Sequence, residues 1–206
     1  MPVQAALDEF QAAITQCDNL IANAHQISPT TDAPVLPEMD RRQITVAAFL
    51  NMFIAWETFL ESCLAAFLSG SPTLIGNVPI KYASPINPAA ARKMIIGVNR
   101  YFDYGNHGHV KKVAEIYFEN GAPFQPHLDS VYSTLDDLRT MRNSSAHVSS
   151  STQTGLESLA LRLLGAPSQG ITLYALLTST DTTTGSTIFQ KHKEVLVATA
   201  IAIATG

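Results

Sequence analysis

The stretch from residue 38 to residue 69 constrains this chain more than any other. Val46, Phe49, Phe53, Trp56, Leu60, Cys63 and Phe67 recur at steps of three and four, the spacing of one helix face. Positions between them are also apolar: Ala47, Ala48, Leu50, Ile54, Leu64 and Ala65. A helix apolar nearly all round belongs at the centre of a bundle. Other helices must then surround it. Residues 3–27 place Val3, Leu7, Phe10, Ile14, Cys17, Ile21 and Ala24 on one stripe, which predicts an amphipathic helix along a long partner. Shorter helical patterns cover 88–103, 110–119, 126–148 and 156–164. The expected class is all-α, a helical bundle with two long core helices.

Between these patterns lie breakers. Ser28 to Pro34 and Gly70-Ser71-Pro72 end the two long helices. The loop over 70–88 holds Lys81, Tyr82 and Asn87, candidates for substrate contact only because such a loop must cover something. His107 and His109 sit in a turn with no third ligand nearby, which predicts solvated loop histidines rather than a metal site. Ser149 to Gly155 reads as a polar, flexible linker. Ile171 to Thr178 is β-branched and aromatic, and a turn at 181–185 follows. That pattern is compatible with a small β-hairpin near the C-terminus. The end, from about residue 189, reads as a helix or a disordered tail. We expect a single domain over 1–206, with a core over about 3–148 and a C-terminal extension over 149–206.

Composition narrows the function classes. The chain has 206 residues, 46% of them hydrophobic and only 15% charged, which excludes a disordered or supercharged protein. So little charge favours self-association. The net charge of −4 argues against a passive nucleic-acid coat, so any RNA contact must be local. Cys17 and Cys63 fall on apolar stripes and read as buried thiols, a disulfide between packed helices being the alternative. The N-terminus lacks a basic start and apolar run of the signal-peptide kind. No apolar run is expected to reach membrane-spanning length; Val195 to Ala204, the most apolar stretch, is about half of what a span needs. These features predict a cytoplasmic protein.

The chemistry-bearing segment is Arg142-Asn143-Ser144-Ser145-Ala146-His147. It closes the pattern of Leu128, Val131, Leu135 and Leu138, and its guanidinium arrives where the next apolar residue is due. Such a charge needs an acidic partner, a wet cleft or an anionic ligand such as phosphate. Glu57 or Glu61, one turn apart on the long central helix, is a candidate partner; a solvent-facing strip or a salt bridge to a helix end is the other reading. Arg41 and Arg42 oppose the dipole of the same helix, and His25 suits the end of the first. Asp136, Asp137 and Arg139 are expected on the wet side of the hexad's helix. On an undistorted helix, Arg142 and His147 would not share a face. Ser and Asn compete for backbone hydrogen bonds, so a distortion there, or a second copy of the motif, would bring them together.

The Arg-Asn-x-x-Ala-His hexad at the end of an apolar helix resembles the Arg-x4-His motif of HEPN domains. Ala55 to Glu61 resembles the second helix of the RiboL-PSP and MAE-type branches, and Asn99-Arg100-Tyr101-Phe102 with Pro123-Phe124 also fits them. The likeness covers roughly 40–148. It implies a HEPN-like bundle and a metal-independent endoribonuclease of toxin or phage-defence type, acting as a homodimer without a cofactor. His147 would be base or acid, Arg142 the phosphate clamp and Asn143 its helper, with Ser144 and Ser145 in support. The implied partners are RNA and an antitoxin or other defence protein; DNA, which lacks the 2′-hydroxyl, should be spared. The alternative is a non-catalytic helical protein that oligomerises or binds a partner.

Overall fold

The computed structural model describes residues 2–146 and 149–206. Nine α-helices appear among them: α1 (Pro2–Ala24), α2 (Glu38–Leu68), α3 (Pro88–Ile96), α4 (His107–Tyr117), α5 (Phe124–Ser130), α6 (Tyr132–Ala146), α7 (Ser150–Leu164), α8 (Leu173–Thr178) and α9 (Ile188–Thr205). A 3-10 turn at Glu119–Gly121 precedes α5. No strand occurs among the described residues; three isolated antiparallel bridges do. The molecule is all-α. The chain divides into two compact units, neither contiguous in sequence. Unit 1 comprises Met1–Ala12, Ile54–Leu135 and Val195–Gly206; unit 2 comprises Ala13–Phe53 and Asp136–Glu194.

The core of unit 1 is the second half of α2. Every residue from 63 to 68 is buried, which is what a helix apolar on all sides requires. Phe10 of α1 packs its ring 6.1 Å from Trp56 and 5.5 Å from Phe59, and Phe67 meets Phe124 edge-on at 5.8 Å. Cys63 is a buried free thiol, pushed up from its ordinary range by that burial. By length and composition α2 does suffice to cross a bilayer, contrary to expectation, although a core helix passes the same test. Its C-terminus is capped by Lys81, whose ammonium donates to the Leu68 carbonyl at 2.8 Å. The loop carrying Lys81 is pinned to the end of α4 by the Tyr82 amide donating to Tyr117 and the Glu119 amide to Ile80.

Three elements of unit 1 depart from expectation. The helix at 88–103 stops at Ile96, because Gly97 adopts a φ of 61° that L side chains resist. Its N-terminus is set by Asn87, which accepts from the Ala90 amide. α4 begins earlier than Val110, with Asn106 as its cap, so His107 is helical and buried edge-on against Tyr132 at 4.5 Å. It is not the solvated loop histidine predicted; His109 is exposed. The single helix expected over 126–148 is two. Val131 leaves helical geometry at φ −121°, and Ser130 donates to the His127 carbonyl, a local bond that competes with the helix.

Unit 2 gathers Ile14 and Cys17 of α1, Phe49, Met52 and Phe53 of α2, Leu138 and Met141 of α6, and the apolar faces of α7, α8 and the start of α9. Cys17 is buried and free. Ser149 to Gly155 is no flexible linker: Ser149 and Thr152 form a reciprocal capping box and the chain from Ser150 is helical. The hairpin proposed near the C-terminus is also absent. Thr172 caps α8 through the Ala175 amide, and Leu173, Leu176 and Leu177 bury one helical face. Only the turn survives from that reading, closed by the Thr180–Thr187 bridge. Inside it the Asp181 carboxylate accepts from Lys191 at 2.7 Å and from the amides of Thr183 and Thr184, which hold its carboxyl far below the usual range. The last segment is ordered helix, α9.

Candidate functional site

The first five residues of the hexad, Arg142 to Ala146, end α6. Leu135, Leu138 and Met141 are the buried line of this helix. Met141, one position before Arg142, therefore takes the core position that the stripe assigned to the arginine. Arg142 flanks that line and is half-buried. Its Nη1 donates to the Asn143 side-chain oxygen at 3.3 Å. That leaves the Asn143 amide protons free to donate elsewhere. Among the described residues no carboxylate forms an ion pair with Arg142.

Ser144 donates to the Met141 carbonyl at 2.7 Å and Ser145 to the Arg142 carbonyl at 3.0 Å. Both hydroxyls thus donate back to carbonyls of their own helix, the local bonding by which serine competes with regular helix geometry. Their remaining lone pairs can still accept. His147 lies outside the described residues.

The two glutamates fare differently. Glu61, half-buried on α2 in unit 1, accepts from the Arg92 Nε at 2.8 Å, so its charge is engaged by α3. Glu57 is half-buried one turn earlier and is also engaged. Lys81 and Asn87, named as substrate contacts, act as helix caps, while Tyr82 is exposed.

Asp137 is buried, not wet. One oxygen takes the Arg162 guanidinium of α7, and the other lies 3.6 Å from the His192 Nε2 of α9. His192 is 1% exposed, and its Nδ1 bonds the Ile188 carbonyl at 2.8 Å. A carbonyl only accepts, so Nδ1 carries a proton and Nε2 faces the carboxylate. This Arg–Asp–His cluster went unread because its members lie on three helices far apart in sequence. A second polar group in unit 2 joins His25, Thr45, Tyr174 and Arg42. His25 Nε2 bonds the buried Thr45 hydroxyl at 2.9 Å and stacks on Tyr174, over which Arg42 also lies. Burial, then the nearby Arg41, holds His25 below its ordinary value. Arg42 also pairs with Glu38 at 2.5 Å.

Among the described residues no three His, Cys, Asp or Glu side chains gather as metal ligands would. No family model, curated protein or solved structure matches the chain.

Proposed function

We propose that the chain is a metal-independent endoribonuclease whose site is built on Arg142, Asn143 and His147. The observation that carries this is Arg142 itself. It is a half-buried guanidinium with an amide neighbour and no carboxylate partner among the described residues. An arginine so placed has its charge available to a phosphate. RNA supplies its own nucleophile, the 2′-hydroxyl. His147 takes that proton as the oxygen attacks phosphorus, and a proton returns to the departing 5′-oxygen. Arg142 balances the charge of the five-coordinate phosphorane. The products are a 2′,3′-cyclic phosphate and a 5′-hydroxyl. Asn143 orients the guanidinium or bonds a phosphate oxygen. A homodimer bringing two hexads to one cleft fits this reading, as does neutralisation by an antitoxin-like protein in a cytoplasmic defence system.

The test is cleavage of a mixed RNA pool in EDTA by the wild type and two variants. Arg142→Ala should lose about 100- to 1,000-fold in rate, and His147→Ala about 100- to 10,000-fold. Equal cleavage by all three proteins removes the proposal.

A second reading has its own support. In unit 1, Ile80, Tyr82, Ile86 and Val98 are large, apolar and exposed. Exposed apolar side chains in number favour association. A non-catalytic helical protein that oligomerises or binds a partner would assemble normally after His147→Ala and turn over no RNA.

A further inference from the structure

Unit 1 holds a cavity of about 620 Å³ formed by the segment after α3 and the first turns of α4. Its volume lies within the range of roughly 300–1,000 Å³ usual for small-ligand clefts. None of the hexad residues lines it. Local sequence builds its wall. Gly97 ends α3 and releases the chain into a non-helical run through Arg100, Tyr101 and Phe102. Asn106 then starts α4, which places His109 and Lys112 one turn apart on a single face.

The charge in this cavity is uneven. Arg100 and Lys112 line it, and among the described residues neither has an ion-pair partner. The adjacent Lys111 behaves otherwise: it pairs with Asp129 and lies over the Tyr132 ring. Against the two cations stands one carboxylate in the lining, Asp103. A chain of net charge −4 thus keeps a local excess of positive charge here. The second ingredient is aromatic. Tyr101 is 75% exposed, an unusual placement for a ring with so much apolar area. Phe102 is held edge-on by the buried Tyr104 at 4.7 Å and tilted against His109 at 6.3 Å. Guanidinium and ammonium groups suit phosphate oxygens, and an uncovered ring suits a flat heterocycle. A simple anion would use only the first feature, and an apolar ligand only the second.

We propose that this cavity binds a nucleotide unit, with the phosphate on Arg100 and Lys112 and the base against Tyr101. The same chemistry is offered by a free mononucleotide and by an unpaired nucleotide within a single strand. The site stands apart from the cleavage chemistry proposed for Arg142 and His147, and uses none of those residues.

Three probes test it on the full chain: adenosine monophosphate and inorganic phosphate by calorimetry, and a labelled single-stranded oligodeoxyadenylate by fluorescence anisotropy. The deoxy strand has no 2′-hydroxyl, so its binding is measured whether or not the hexad cleaves. The Arg100→Ala, Lys112→Ala double variant should weaken the nucleotide probes about tenfold or more and flatten their salt dependence. Tyr101→Ala should weaken them by about tenfold while leaving inorganic phosphate unchanged. All three side chains are exposed, so the variants should keep the wild-type circular dichroism. Binding of the mononucleotide alone assigns a free ligand; binding of the oligonucleotide assigns a strand. Either supports the site. If neither probe binds, or if both bind the double variant as well as wild type, the site is wrong. Absence of RNA cleavage by the wild-type chain, with binding of the deoxy strand intact, would sink only the nuclease reading.

Discussion

At the scale of single residues, Tyr104 offers a clean test of the core of unit 1. Its side chain is 8% exposed and its hydroxyl is buried without a hydrogen-bond partner. Burial, and next the charge of Glu61, push the phenol well above its ordinary value. A buried donor without an acceptor costs about 1–3 kcal/mol, whereas removing the group altogether leaves nothing to desolvate. Tyr104→Phe keeps the ring against Phe102 and deletes the orphan. Urea unfolding should show a gain of about 1 kcal/mol; a loss of that size would mean the hydroxyl is satisfied. Residue-level legibility followed the same logic of burial. Cys17 and Cys63 were readable as core thiols because each falls on a stripe. The environment of Arg142 was readable only approximately. A step of three or four does not say whether position 141 or 142 faces inward, and the methionine won that place. Asp137 looked wet because its own helix offers it no partner; Arg162 and His192 supply the partners from elsewhere in the chain.

At the scale of elements, the long helices announce themselves because their stripes run for many turns, and the short ones are hidden by their caps. Ser149 to Gly155 has a linker's composition, yet the same residues supply a capping box. The Ser149 hydroxyl accepts from the Thr152 amide at 3.3 Å, and the Thr152 hydroxyl accepts from the Ser149 amide at 3.0 Å. Glu or Gln usually fills the second place; threonine there disguised the signal. α8 was missed for a related reason. Its residues favour strands, but Thr172 caps it and Leu173, Leu176 and Leu177 bury at helical spacing, and tertiary packing overrides propensity. Ser149→Ala should therefore act as a cap deletion. We expect a loss of about 1 kcal/mol in chemical denaturation. Amide exchange should speed up at Thr152 and its neighbours and leave the middle of α7 protected. Unchanged exchange at Thr152 would return the segment to a linker.

At the scale of the whole molecule, fold class was legible and the assembly of units was not. Stripes say which face of a helix is dry but not which other helix covers it. A linear reading therefore separated a core over 3–148 from an extension over 149–206. The two units instead draw on both parts: 195–206 belongs with 54–135, and 149–194 belongs with 13–53. Val148 itself, like His147, lies outside the described residues. The physical consequence is that the later part cannot be removed without stripping both cores. In unit 2 it supplies the buried Leu156, Leu159, Leu163 and Leu176; in unit 1 it supplies Leu196 and Ile203. Fully burying a side chain of this size is worth roughly 1.5–3 kcal/mol. Those six alone then contribute on the order of 10 kcal/mol, an upper estimate because unfolded chains already bury some area. That is comparable with the entire stability of a typical domain, about 5–15 kcal/mol. A chain ending at residue 148 should accordingly lose its cooperative thermal transition by circular dichroism, bind a hydrophobic dye and aggregate on heating. A sharp transition near the full-length midpoint would show that residues 2–148 fold alone. In that case the 149–206 segment is the dispensable extension that the linear pattern suggested.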